Sequence, residues 1–476
     1  MKKLLLIICV FSLVFFSCGD GGGGERLPGN FWAWDFNRSM FYRVDAELLA
    51  SNALCEIWVE KGSGVSATRA QTIANYYRDN IYAEMEKKLF WTENISGVMM
   101  NTMQFADWLG DENGKLVILL LDIKDGYSGQ GSSYIAGYFD SYNFLNHGES
   151  NFRDMIYIDT NPLLQFGDQD LYRTIAHEMQ HLMNFASTVW FRSTRVNGQI
   201  VSWREMDVWI DEGLSESAEW IYSGEYNKDR INWYNADNTL LSMGDNFFVW
   251  NNYEDIPNSV LNDYATVNLF FQWLRLESGA NDIYKRILTS THNNVNAVLN
   301  SLNGTSLAGD SWAQLLEKWY TANYIGNYTI PGYGAGLKRH YVPTGTTTVQ
   351  LFPGEGVFSS SGTGLALPQA GVNIIYIALN NYGVKINPDV AHTLLTFNAN
   401  PNNKNGWETG GTRSGVFFPS GMNVNASVSG GRSLQSGAFS PGSNRIGGGS
   451  LLRHRGLGTF IDKDFSGLFT GAETVE

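Results

Sequence analysis

An α+β protein is predicted, and three observations predict it. β-like segments surround one long helical stretch through the first 165 residues. From Asp168 the apolar period changes to 3.6, and beyond about Tyr341 β-like, glycine-rich sequence takes over. In the first region, FWAWDFNRSMFYRV and ALCEIWVE read as strands. Ser66 is placed to cap a helix from Ala67 to about Leu89, along which Ala70, Ile73, Tyr77, Ile81 and Met85 keep a helical stripe. The unbroken apolar run within KLVILLLDIKD reads as a central strand buried on both faces, and SYIAGYFDS and DMIYIDT as two more strands. Candidate helices follow over 168–187, 207–222, 263–277, 294–302 and 311–325. The last region has β-like TTTVQLF and GVNIIYIALN among Asn/Ser/Gly turns. The expected organisation is a leader over 1–17, a tether over 18–25, an α/β part over 26–167, a helical part over 168–328 and a C-terminal β-rich part over 341–476.

The chain has 476 residues, 43% hydrophobic and 14% aromatic, enough for two or three packed units. Its formal charge of −14 argues against nucleic acid and anionic lipid as partners. Lys2 and Lys3 followed by the apolar run Leu4 to Phe16 read as a signal peptide, too short to span a bilayer comfortably. Ser17 before Cys18 resembles a lipoprotein cleavage box, with Cys18 the lipidated residue and GDGGGGE a flexible tether. The expected location is outside the cytoplasm on a bacterial lipid anchor, periplasmic or cell-surface, or secreted if cleavage is of the ordinary kind. Of the three cysteines only Cys55 then remains, so the mature chain has no internal disulfide.

The chemistry concentrates in YRTIAHEMQHLMNF, where two of the seven histidines, His177 and His181, stand four apart with Glu178 beside the first. On a helix both imidazoles fall on one face, opposite the apolar stripe Leu171, Ile175, Met179 and Leu182, so the stripe is expected to face the core and the imidazoles to point outward together. Zinc needs imidazole nitrogens converging at about 2 Å, which this spacing supplies. Glu178, one step round, can serve water as a base without ligating. A histidine ten residues after the first would define another arrangement, but Asn184 and Ser187 occupy the required glycine and histidine positions. Downstream, WIDEGLSESAEWIY sets Glu212, Glu216 and Glu219 on one helical face, with Gly213 inside the helix at a cost of about 1 kcal/mol relative to alanine.

The HEMQH motif followed by WIDEG resembles the gluzincin metallopeptidases. The order AGYFDS, YIDTNP, HEMQH is similar to the hyicolysin group of secreted bacterial zinc endopeptidases, over roughly residues 30 to 327. The resemblance implies a zincin-like mixed sheet and a helical subdomain with the HExxH helix at their junction. It implies zinc ligands His177, His181 and Glu212, Glu178 as catalytic base and Glu216 as an acid orienting a ligating histidine. Asp207 or Asp211 as the third ligand is a minor variant. NDYATVNLFFQWLRLESG resembles the zinc-aminopeptidase helix with a tyrosine near its start, although Tyr-x-Lys-Gly there is Tyr264-Ala265-Thr266-Val267 here. It implies Tyr264 as oxyanion stabiliser, with His292, Tyr222 and Tyr226 as rivals. Ala136, Gly137 and Tyr138 would lie on an edge strand that binds an extended substrate.

GVMMN resembles an aminopeptidase amine-binding box, but Met100 stands where that box has a glutamate, which favours an endopeptidase. The expected protein is a monomeric zinc endopeptidase with one catalytic ion, acting on proteins or peptides. Its Asp- and Asn-rich loops permit calcium as well. The alternatives are a zinc aminopeptidase-like hydrolase and a non-enzymatic surface lipoprotein that keeps the fold.

Overall fold

The computed structural model describes residues 29–88, 115–128, 134–144, 149–196, 199–235, 248, 260–325, 337, 341–342, 351, 353–360, 374–378, 393–401 and 445–447. The leader, Cys18, the tether, GVMMN and most of TTTVQLF lie outside these residues.

Among the described residues the chain is α+β, built on a seven-stranded mixed sheet. FWAWDFNRSMFYRV is a hairpin rather than one strand. β1 (Asn30–Asp35) pairs antiparallel with β2 (Met40–Ser51), and Ser39 turns the chain at φ 52°. β3 (Cys55–Glu60) pairs antiparallel with β2 and parallel with β4 (Leu116–Leu121). β4 is buried along its whole length, as its run of Leu, Val and Ile requires, and each such side chain contributes about 1.5–3 kcal/mol. β6 (Met155–Asp159) runs parallel to β4, and β5 (Tyr134–Phe139) returns antiparallel to β6. The predicted first helix begins at Ser66, whose side chain accepts from Arg69 N. It forms as α1 (Ala67–Tyr76) and α2 (Ala83–Lys88), joined by a π turn at Tyr77–Tyr82.

After the short helix α3 (Leu163–Phe166), the HEMQH segment lies on α4 (Asp168–Phe191), which packs on β5 and β6. A hairpin of β7 (Ser193–Val196) and β8 (Gln199–Trp203), unforeseen in the sequence, leads to α5 (Val208–Ile221), laid along α4. The remaining helices are α6 (Lys228–Tyr234), α7 (Val260–Ser278), α8 (Ile283–Leu288), α9 (Val295–Ser301) and α10 (Trp312–Ile325).

Between the sheet and α5, α4 is buried on all sides, which corrects the expectation that its imidazoles face outward. His177 is 2% exposed and His181 0%. The helix therefore needs no solvent face, and its polar side chains meet polar side chains of α5.

Gly213 has a packing reason. A Cβ there would overlap the ring of Phe271 on α7. The glycine admits α7 against α5 and so brings Tyr264, on the same helix, toward the histidines. Gly213→Ala gains about 1 kcal/mol of helix propensity but overpacks a filled core, at about 1–3 kcal/mol. A net loss of up to roughly 2 kcal/mol is expected in chemical denaturation; an unchanged midpoint would mean that Phe271 yields freely.

In the C-terminal region β9 (Gly356–Ser360), β10 (Ile374–Ala378) and β11 (Thr393–Asn398) form a three-stranded antiparallel sheet of order β10-β11-β9. It joins α10 through Tyr320 and Tyr324 against Phe358, with Tyr320 also against Phe397. The Tyr320 hydroxyl donates to the Gly354 carbonyl at 2.8 Å. Packing therefore crosses the boundary expected near Tyr341. Beyond this sheet, β12 (Arg445–Gly447) pairs parallel with β5 in the first sheet.

Candidate active site

α4 and α5 pack along each other, and their facing polar side chains form one buried cluster. His177 Nε2 and His181 Nε2 are 3.1 Å apart, and Glu212 Oε2 lies 3.4 Å from the first and 3.3 Å from the second. Tetrahedral zinc at about 2.0–2.1 Å from each ligand spaces its ligands by roughly 3.3–3.4 Å, so the three atoms match such an ion. The Glu212 carboxylate is fully buried, and neither oxygen has a hydrogen-bond partner. A buried carboxylate without a hydrogen bond is costly unless a cation meets it, so the donor set fits a metal.

The opposite ring nitrogens are held by other acids. Glu219 Oε1 lies 3.1 Å from His177 Nδ1, and Asp211 Oδ1 lies 3.2 Å from His181 Nδ1. An acid at each Nδ1 favours its proton there and leaves both Nε2 lone pairs for an ion. Asn184, at the position that would be glycine in the alternative motif, donates to Asp211 Oδ1 at 2.7 Å and steadies it.

This geometry corrects two expectations. The acid closest to His177 Nδ1 is Glu219, with Glu216 at 3.8 Å, because Glu216 is turned toward Arg230. Asp211 lies on the Nδ1 side of His181, away from the convergent nitrogens, and Asp207 is at the N-cap of α5, whereas Glu212 Oε2 faces both Nε2 atoms. Glu219→Gln replaces an acceptor by an amide, and a 10–100-fold loss of zinc affinity is expected in a chelator-competition titration. Unchanged affinity would transfer the orienting role to Glu216.

Burial alone would lower the pKa of His177, but the Glu212 and Glu219 carboxylates outweigh it and push it up to about 9. His181 is raised well above its ordinary value despite burial, chiefly by the charge of Glu212 and Asp211. Glu212 moves far below the usual carboxylate range, burial being overcome first by His181 and then by His177. Metal and protons thus compete for the same nitrogens.

Glu178 is fully buried on α4, and its charge acts on His177. Gly137 of β5 lies directly against it: a Cβ there would come 3.1 Å from Glu178 Cγ and 2.8 Å from both Thr174 Cγ2 and the Tyr157 carbonyl. The close backbone approach expected of Gly137 is therefore with α4 and β6. Ala136 and Tyr138 are buried too, and the Tyr138 hydroxyl accepts from Trp34 N at 3.0 Å. β5 is also not an open edge, since β12 pairs along its outer side and brings Gly447 opposite Gly137. The substrate-edge expectation for Ala136, Gly137 and Tyr138 is corrected accordingly.

Tyr264 is buried with its ring centroid 6.1 Å from that of His177. Of its rivals, Tyr226 packs on Trp220, and His292 lies in the turn before α9, its backbone N–H bonded to Ser290 Oγ. Arg230, on α6, went unnoticed in the sequence. It is 3% exposed, forks onto Glu216 and stands 4.7 Å from the centre of the Tyr264 ring. Nothing in NKDRINWY marks it, because a lone arginine on a short helix reads as a surface charge.

No family model matches the chain. Over 198 residues it is 33% identical to the neutral metalloprotease ShpI of Staphylococcus hyicus. The similarity covers 40% of this chain and 42% of that protein, so the chain spans less than half of its relative's length in the match. This similarity supports the resemblance to hyicolysin-like metallopeptidases.

Proposed function

We propose that this chain is a zinc-dependent endopeptidase. The observation that carries the reading is the Glu212 carboxylate, buried without a hydrogen bond and aimed at two convergent imidazole nitrogens whose far sides are held by acids. His177, His181 and Glu212 would hold the ion. Zinc bound there supplies Lewis-acid polarisation of a carbonyl oxygen and lowers the pKa of water to about 7.

The chain's own groups do the rest. Glu178 takes a proton from the attacking water and delivers it to the leaving amine nitrogen. Tyr264 donates its phenolic hydrogen to the oxygen that gains charge in the tetrahedral transition state. Asp211 and Glu219 hold the imidazoles in one tautomer and orientation throughout. Met100, at the place of an amine-binding glutamate, supports cleavage within a chain over removal of its first residue. The Leu4 to Phe16 run and Cys18 support export and lipid anchoring.

The test uses residues 19–476 with casein and N-acetylated fluorogenic peptides. One zinc per chain and cleavage of blocked peptides that stops with a chelator and returns with zinc are expected. Cleavage restricted to peptides with a free amino terminus would turn the reading to an aminopeptidase. A folded protein that takes up no zinc would refute the metal site.

A further inference from the structure

α5 presents four carboxylates to this cluster, Asp211, Glu212, Glu216 and Glu219, all at most 1% exposed. A second trio competes with the first. His177, Glu216 and Glu219 also bring three donor atoms within 4.8 Å of one another. That trio uses the other face of the same imidazole, with Nδ1 at 3.1 Å from Glu219 and 3.8 Å from Glu216. An ion held there would take the nitrogen that orients His177.

α6 answers both acids of the second trio. Asn227, its N-cap residue, donates from Nδ2 to Glu219 Oε2 at 2.6 Å. Arg230, three residues on, donates from Nε to Glu216 Oε1 and Oε2 at 3.0 and 2.9 Å and from Nη2 to Oε1 at 2.6 Å. The spacing 227/230 on α6 thus meets the spacing 219/216 on α5. Asn268 of α7 adds a donor to Glu216 Oε2 at 3.2 Å. The guanidinium is a planar fork whose charge cannot be titrated away, and it supplies Glu216 with a fixed counter-charge that a metal ion would otherwise supply.

We infer that Arg230 and Asn227 are positioning residues that assign the carboxylates of α5. They engage Glu216 and the outer oxygen of Glu219, so that His177 Nδ1 meets only an orienting acid and a single ion is taken on the Nε2 side. Arg230 also lies over the Tyr264 ring, so the residue that closes the second trio packs against the proposed proton donor. The inference rests on the metal-site reading above.

Cobalt titration of the metal-free chain, followed by absorption and by metal content after gel filtration, tests it. The unaltered chain is expected to saturate in one phase at one ion. Arg230→Met is expected to show a second phase with new absorption bands, raising the stoichiometry from one to two. Arg230→Met combined with Glu216→Gln removes both charges and is expected to return to one. Should Arg230→Met fail to fold, Asn227→Ala carries the test, with a weaker second phase expected from the released Glu219 oxygen. A single phase identical to the unaltered chain's in every folded single variant overturns the inference and leaves the metal site standing. An unaltered chain that binds no cobalt overturns both.

Discussion

Glu178→Gln is expected to keep its zinc and lose its turnover, by about 10²–10⁴-fold in kcat for a blocked peptide. Glutamine matches glutamate in shape, so the fully buried side chain still fits beside Gly137. It cannot accept a proton from water at neutral pH. Glu178 is outside the trio of convergent donors, so zinc content is expected to stay near one per chain. Glu212→Gln separates the roles, because it removes a donor and lowers zinc content and turnover together. Equal zinc and undiminished turnover in Glu178→Gln would assign the base to another group.

The second large effect is on stability and appears only without metal. His177 in the metal-free fold has a pKa of about 9, against an ordinary value of 6.5. A raised folded-state pKa means that the protonated imidazole stabilises the fold. That contribution is complete below about pH 6.5 and is lost as pH rises through about 9. The shift corresponds to about 3 kcal/mol for His177, and His181 moves in the same direction. Chelator-treated protein is therefore expected to lose on the order of 3–6 °C in Tm between pH 7 and pH 10. The zinc-loaded protein, whose imidazoles serve as neutral ligands, is expected to lose less, so the gap between the two melting curves widens with pH. A gap that stays constant across that range would contradict the protonated state of the empty pair.

The sequence made the candidate metal donors easier to read than their surroundings. The four-residue spacing of His177 and His181 is a local helical property, and the helix over Asp168–Phe191 follows from its own periodicity. The helices Val208–Ile221, Val260–Ser278, Val295–Ser301 and Trp312–Ile325 were legible for the same reason, while β7, β8, α6 and α8 were not. The imidazoles were nevertheless expected on an outward face, because periodicity separates polar from apolar faces without saying what covers the polar one. Here α5 does, and its acid row is an interior surface. Glu216 and Glu219 are three apart on one face, and choosing which touches His177 required the position of Arg230, fourteen residues beyond Glu216 and on a different helix. The edge strand failed on similar grounds. Pairing of Tyr134–Phe139 with Arg445–Gly447 joins segments some 300 residues apart, and no local pattern encodes it.

Two glycines admit close packing around the candidate site, Gly137 against Glu178 and Gly213 against Phe271. Neither has a functional group, and neither position has room for even a methyl without displacing a neighbour. In a saturation library selected for proteolysis, both positions should therefore be depleted of alternatives in order of side-chain size, alanine least and the bulkiest residues most. Intolerance to substitution would mark them as part of the site, although the property selected is empty volume rather than chemistry.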